Sequence, residues 1–284
     1  MIAAAPSKKW GTGALLLFIV LPLIAGILLS LLVPRPIIGI IYLNDAIYSN
    51  TAQEMITQII YAREHAEVRA VILVLNSPGG TVTDTESVYM ELARLRQNKP
   101  VITMIEGMAA SGAYYISSGT DYILAKPSSE VGNVGVIGYM PSPPTIYEEV
   151  YSTGPYKLWG SPRDTFMREM EMMKGGFLKA VLLGRGQALK VPSEVVLRGQ
   201  IWPGTEALRM GLIDELGTQS RAYEKAAQLA RITHAKVEDL RTLAGIPSIV
   251  PASFFMLTED GKSTSYPKEP GIYYLYIPPM EKQP

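Results

Sequence analysis

The feature that most restricts how this 284-residue chain can fold is the regular exchange of short apolar runs and longer helical ones from Ile37 to Ile105. Ile37 to Leu43, Val68 to Leu75 and Val101 to Ile105 are apolar and largely β-branched, the last entered through Pro100. Short runs of this kind read as buried strands. Between them, Thr51 to Glu64 carries Met55, Ile59 and Ile60 at helical spacing, and Thr83 to Arg96 sets Val88, Leu92 and Leu95 on one stripe. Strands alternating with helices of this length imply βα units and a largely parallel sheet covered by helices. Downstream, Tyr122 to Leu124 reads as a short strand and Val131 to Gly138 as a glycine-punctuated one. Pro141 to Pro144 reads as a loop and Ile146 to Tyr151 as a helical turn. Asp164 to Gln187 is helical, with a break or kink expected at Gly175-Gly176. Pro192 to Leu197, Thr205 to Met210 (stopping at Gly211) and Gly217 to Ala230 complete the helices.

Both ends differ from this middle. Residues 11–34 carry no charge and are mostly Leu, Ile, Val and Ala, close to the roughly 20 residues that cross a hydrocarbon core. Lys8 and Lys9 precede the run, so the positive-inside tendency puts residues 1–10 in the cytoplasm and everything after Arg35 outside it. A cleaved signal peptide is the competing reading, but its apolar region is usually only about 7–15 residues long. A buried core helix is the other, and it conflicts with the lack of a polar face. The expectation is therefore a single-pass cell-membrane anchor, a catalytic region over residues 35–235, and a proline- and tyrosine-rich tail over 236–284. The tail has no helical period. Its segment Tyr273 to Ile277 suits a strand added to another subunit, so partial order at a subunit contact is expected.

Composition removes several function classes. Net charge is +0 and no basic cluster stands out, which argues against nucleic acid as a partner. With no cysteine, thiolate catalysis and Cys-ligated zinc are excluded, and two histidines far apart make a His-rich metal site unpromising. No metal or other cofactor is expected.

Chemistry concentrates in the stretch from Glu106 to Ser117. Ser111 is the one polar side chain at a strand-to-helix junction crowded with Gly107, Ala109, Ala110 and Gly112. Free N–H groups at a helix start favour developing negative charge, which an acyl intermediate needs. The same residues also read as a serine cap with small packing neighbours. Gly79-Gly80 likewise follows a strand, and ligands of parallel sheets gather outside the carboxyl ends of strands. That coincidence favours Ser111 as a catalytic residue. A serine hydroxyl needs a base, and no histidine lies in these loops. A lysine can serve if burial keeps it neutral near pH 7, at a cost on the order of 4 kcal/mol. Lys157, between Tyr156 and Leu158-Trp159, is the best-placed candidate, although a solvated loop lysine has the same surroundings in sequence.

The ordered motifs Asn76-Ser77-Pro78-Gly79-Gly80, Ala109-Ala110-Ser111-Gly112-Ala113-Tyr114-Tyr115, Gly132-Asn133-Val134-Gly135-Val136-Ile137-Gly138 and Gly154-Pro155-Tyr156-Lys157 resemble the signal peptide peptidase A family of the ClpP/crotonase-like superfamily. The resemblance runs on through Ser161-Pro162-Arg163, Gly184-Arg185, Gly199 to Ala207 and Gly211 to Gly217, in collinear order over about residues 37 to 231. It implies an α/β fold of repeated ββα units behind an N-terminal transmembrane helix. It further implies a Ser-Lys serine peptidase that degrades cleaved signal peptides or other apolar, membrane-derived peptides. Carried over by motif, Ser111 is the nucleophile and Lys157 the base, with the Gly80 and Gly112 amides forming the oxyanion hole. Gly79, Gly132, Val134 and Gly135 would hold the peptide. Asn133 stands where the family often has a serine that orients the lysine. Relatives form rings, so a ring-shaped homo-oligomer is expected, with dyad members able to come from neighbouring subunits. Three other readings stay open on this scaffold. An acyl-CoA enzyme leaves the anchor and Lys157 unexplained, a non-catalytic ring subunit would use the Ser111 region only for packing, and an endoprotease could act on one particular membrane protein.

Overall fold

The apolar runs form a sheet because period-two alternation buries both of their faces. Strands β1 (Ile37–Leu43), β2 (Val68–Ser77) and β4 (Val101–Ala110) send Ile38, Ile40, Ala70, Ile72, Val74, Ile102 and Met104 into one core cluster. Ile41, Leu43, Val71, Leu73, Leu75, Val101 and Ile105 point into the other. A sheet buried on both faces reads in sequence as an unbroken hydrophobic run. The computed structural model describes residues 13, 16–32, 35–139, 151, 153–157, 160–247, 255–257, 263–267 and 272–275.

The main sheet has eight strands, with β5 (Tyr122–Ala125), β6 (Glu130–Gly132), β8 (Ile201–Pro203), β9 (Glu215–Leu216) and β10 (Lys236–Asp239) joining the first three. Its main path runs β10-β1-β2-β4-β5-β9, all parallel, while β6 lies parallel to the end of β4 and antiparallel to β8. Four helices cover one face: α2 (Ser49–Glu64), α3 (Val82–Arg96), α4 (Gly112–Ser118) and α5 (Arg163–Arg185). After the short α6 (Ser193–Val196) and α7 (Gly204–Met210), α8 (Gln219–Ala230) covers the other face with Ala222 and Ala226. The expected α/β architecture with a parallel-rich sheet is therefore present.

Four boundaries differ from expectation. First, α5 runs unbroken through Gly175-Gly176, where an added Cβ would meet open space. Two glycines inside a helix weaken it by about 1 kcal/mol each, which tertiary packing at the far end of α5 outweighs. There an added Cβ at Gly184 would fall on the Ser118 carbonyl, so α5 and α4 meet at backbone distance. Second, Lys236–Asp239 belongs to the main sheet rather than to a tail. It pairs with β1 and leads into α9 (Leu240–Leu243), whose Leu240 occupies the space left by Gly39. Third, Val131 to Gly138 is not one strand: β6 ends at Gly132, Asn133 turns with φ 55°, and β7 is only Ile137–Gly138. Fourth, the tail carries a hairpin of β11 (Phe255–Leu257) and β12 (Ser263–Pro267), then β13 (Ile272–Leu275), which pairs within its own chain. The loop expected over 141–144 lies outside the described residues, as does the helical turn expected over 146–151 apart from Tyr151, which is not helical.

At the amino end, a π-helical turn Leu16–Val20 continues into α1 (Leu21–Leu32). Leu21 and Leu23 are each more than 60% exposed, so nothing among the described residues covers them. No described helix is long and apolar enough to cross a membrane. The rest of the expected span lies outside the described residues.

Candidate active site

Parallel pairing of β2 with β4 brings their carboxyl ends to one edge. Ser111 follows β4 there, and the short strand β3 (Gly79–Thr81) follows β2. The approach to Ser111 is irregular. Leu75 pairs with Ile105 and Ser77 with Ala109, so β4 spans more residues than β2 over the same stretch. Bulges of this kind bend a strand and re-aim the side chains beyond the bend. Gly107 sits within the bulge because the Asn76 side-chain oxygen occupies the place of a Cβ. The sequence alone suggests that β4 ends at Ile105, since Gly107, Ala109 and Ala110 look like loop; pairing with β2 and β6 carries the strand on to Ala110.

Ser111 has φ 53° and ψ −120°, a backbone conformation that costs a non-glycine residue about 1–3 kcal/mol. It is held there by its N–H donating to the Gly132 carbonyl (2.8 Å) and by its own carbonyl accepting from Tyr115 N–H (2.9 Å). Although Ser111 precedes α4, its hydroxyl makes no capping hydrogen bond. This removes the capping explanation for a serine here. The side chain is 1% exposed, and α4 behind it is buried throughout. Tyr115 packs between Tyr89 and Phe177, with ring centroids 5.0 and 5.1 Å away. Burial, with Glu86 and Tyr89 adding, pushes its phenol up to about 12, and burial also raises the Glu86 carboxyl. The wall behind Ser111 thus disfavours charge.

Gly80 is fixed by Ile47, a residue with no warning in the sequence. Ile47 N–H donates to the Gly79 carbonyl (2.7 Å) and Thr81 N–H donates to the Ile47 carbonyl (2.9 Å). A Cβ on Gly80 would fall on that Ile47 carbonyl. Because Gly79 and Thr81 turn toward Ile47, alternation along the strand directs the N–H and C=O of Gly80 to the opposite edge. Gly79 has φ 96° and its N–H reaches the buried Ser77 hydroxyl (3.3 Å). Gly112 opens the first turn of α4, where backbone N–H groups have no partner within the helix.

The other expected site residues are spread more widely. Gly132 (φ 116°) lies between Ala110 and Ile201 in the sheet, so its backbone positions Ser111 instead of offering a free edge. The strand edge that faces β3 across β13 belongs to β7. Asn133 takes the left-handed conformation that asparagine tolerates well, and its side-chain amide donates to the Gly199 carbonyl (2.6 Å). Val134 is buried, and Gly135 stands in open space. Lys157 ends a turn in which its N–H donates to the Gly154 carbonyl (3.2 Å), and it is exposed. The burial expected between aromatic neighbours is absent from the isolated chain, and no hydrogen bond joins Lys157 to Ser111 among the described residues. Residues 139–162, which carry Lys157, begin and end at the site. They start at β7 and finish at α5, whose Phe166 and Met170 stand against Gly138. Lys126, the other lysine near the edge, is paired with Glu106.

Two family models match this chain: Peptidase family S49 over residues 93–233 and Clp protease over residues 37–131. A putative protease of Synechocystis sp. is 30% identical over 218 residues, covering 72% of this chain and 78% of that protein. The chain belongs to peptidase family S49. Protease 4 of Salmonella typhi is 32% identical over 189 residues, 62% of this S49 chain and 31% of that protein. The putative signal peptide peptidase SppA of Enterococcus faecium is 28% identical over 200 residues, 65% of this chain and 58% of that protein. This S49 chain therefore spans about a third of the length of the Protease 4 relative.

Proposed function

We propose that this chain is a membrane-anchored serine endopeptidase that uses a Ser111-Lys157 dyad on extended apolar peptides, cleaved signal peptides among them. The observation that carries the reading is Ser111 itself. It is buried, held in a strained conformation and free of any capping bond, at the same sheet edge as Gly80. Strain of that kind persists only where surrounding structure enforces it, and it gathers at active sites.

In this mechanism the neutral amine of Lys157 takes the Ser111 proton as the oxygen attacks a peptide carbonyl. The oxyanion is received by the amides of Gly80 and Gly112. Lys157 returns the proton to the leaving amine, and water then releases the acyl group. Preorganised donors of this type are worth roughly 3–4 kcal/mol each in other serine proteases. A lysine acting as base has to be shielded from water, which the exposed Lys157 of the single chain is not. A neighbouring copy in a ring, or the peptide itself, covers it in this reading. Asn133 does not weaken the proposal, because its left-handed backbone supplies a reason for asparagine apart from any loss of catalysis.

Lys157→Ala is expected to abolish peptide cleavage with the fold intact, followed by mass spectrometry of digested peptides. Near-full turnover in that variant would move the base elsewhere and sink the dyad. The helix at Leu16–Leu32, with Leu21, Leu23 and Ile24 exposed, supports the anchor. Deleting residues 1–34 is expected to move the protein from the membrane to the supernatant fraction on ultracentrifugation. Retention in the pellet would count against that anchor.

A further inference from the structure

The carboxyl ends of β10 and β1, an adjacent pair at the margin of the main sheet, open onto a cavity of about 290 Å³. Crevices outside the carboxyl ends of parallel strands are where such sheets take their ligands. Pockets that hold small molecules start at roughly 300 Å³, so this one suits a single small occupant. None of the candidate active-site residues lines it. Its walls are fixed by bonds between elements. Arg241 in α9 clasps the Glu54 carboxylate of α2 at 2.5 and 3.2 Å, and the Thr51 hydroxyl donates to the Ala46 carbonyl at 2.8 Å.

Gln58 is the lining residue that needs an explanation. It is 3% exposed on the α2 side of the cavity, beside the equally buried Met55. Its Nε2 donates to the Glu54 carbonyl at 3.2 Å, which leaves Oε1 as an acceptor that is buried and has no hydrogen-bond partner among the described residues. A buried acceptor left unpaired is destabilising, and native structures keep few of them. Two carboxylates line the same cavity with capacity to spare. Asp45 accepts from Ala46 N–H (2.7 Å) and Asp239 from Arg241 N–H (2.8 Å), each through Oδ1 alone. With Glu54 spent on Arg241, the lining keeps two uncompensated acidic groups. Beside them, burial first and then the Asp45 and Glu54 charges raise the Tyr48 phenol above its ordinary value. Among the described residues no three acidic or histidine side chains stand close enough to hold a metal ion. The charge therefore calls for a larger cation, whose N–H groups can reach separate acceptors.

We propose that this cavity binds a small aliphatic primary amine, its ammonium donating to Gln58 Oε1, Asp45 and Asp239 and its chain lying on Leu43 and Met55. An ammonium has three N–H donors and no acceptor, the complement of a lining with one neutral and two charged acceptors. The two buried apolar side chains give the rest of the molecule a surface to cover.

The test is titration calorimetry of full-length protein with pentylammonium chloride, with pentan-1-ol and sodium pentanoate as controls of the same chain length. Saturable binding of the amine, and of neither control, is expected. Gln58→Met keeps the shape and removes the acceptor, so it should weaken the amine about tenfold or more, the effect of one hydrogen bond to a charged group. It should also raise the melting temperature of the unliganded protein by about 2–4 °C, because the unpaired oxygen is gone. Asp45→Asn/Asp239→Asn retains the oxygens that accept from Ala46 and Arg241 N–H and should likewise weaken the amine about tenfold or more. No saturable binding to the wild type, equal binding of the alcohol, or unchanged affinity in both variants overturns the site. The outcome does not depend on whether Ser111 cleaves peptides, since the readout is binding at residues apart from the candidate active site.

Discussion

Ser111→Ala is expected to lower peptide hydrolysis by on the order of 10⁶, the loss seen when the nucleophile of a serine protease is removed. The substitution is clean for structural reasons. Alanine keeps the Cβ, so the strained backbone at φ 53° is neither relieved nor worsened. The hydroxyl caps no helix, so its removal orphans no backbone N–H of α4. Deleting a buried hydroxyl without removing a hydrogen-bond partner is nearly neutral for stability. The melting temperature should therefore stay within about 2 °C while turnover disappears. Peptide digestion followed by mass spectrometry, with calorimetry on the same preparations, measures both quantities. Turnover above background in the alanine variant would place the nucleophile elsewhere.

The largest expected effect on stability lies away from the site, at Arg185. Arg185 is 6% exposed at the end of α5, and its guanidinium makes two hydrogen bonds to the Asp214 carboxylate, at 2.9 and 2.7 Å. Its Nε donates to the Gly211 carbonyl at 2.8 Å. Asp214 also accepts from Ile123 N–H (2.8 Å), and the hydroxyl of Tyr114 in α4 donates to the Leu212 carbonyl (2.8 Å). The segment 211–214 thus ties α5, β5 and the helix behind Ser111 together. Arg185→Ala leaves the half-buried Asp214 carboxylate and the buried Gly211 carbonyl without their cationic partner, a loss of about 3 kcal/mol. In a chain of this size that lowers the melting temperature by about 10 °C. Denaturant or thermal unfolding of the variant gives the answer. A change below about 1 kcal/mol would show that Asp214 finds water or another partner.

Much of the fold was legible because a sheet covered on both sides leaves a plain mark. Ile37–Leu43 and Val68–Ser77 could hardly be anything else, and their helices carry single apolar stripes. What escaped depended on partners distant in sequence. Lys236–Asp239 is polar and short, and only its pairing with β1 makes it a strand. Asn133 was legible as a motif position, but the turn that splits β6 from β7 also needs the bond from its N–H to the Gln200 carbonyl, a partner distant in sequence. Ser111 could be chosen from its setting, yet the lack of a capping bond is visible only in three dimensions. Lys157 was reached through its motif, while burial of a lysine is a property of its surroundings and not of its neighbours in sequence. The tail strand showed an apolar segment able to add to a sheet, and nothing in the residues says whose sheet it joins.

Among the described residues, helix α5 is tied by hydrogen bonds and an ion pair to the rest of the fold at its last turn. Its last turn is locked by the Gly184 contact with Ser118 and by the Arg185 pair, whereas its first turns rest beside Gly138. At the α-helical rise its 23 residues reach about 34 Å, so a tilt of about 5° at the locked end swings the opposite end by about 3 Å. The residues leading into that opposite end are those that carry Lys157.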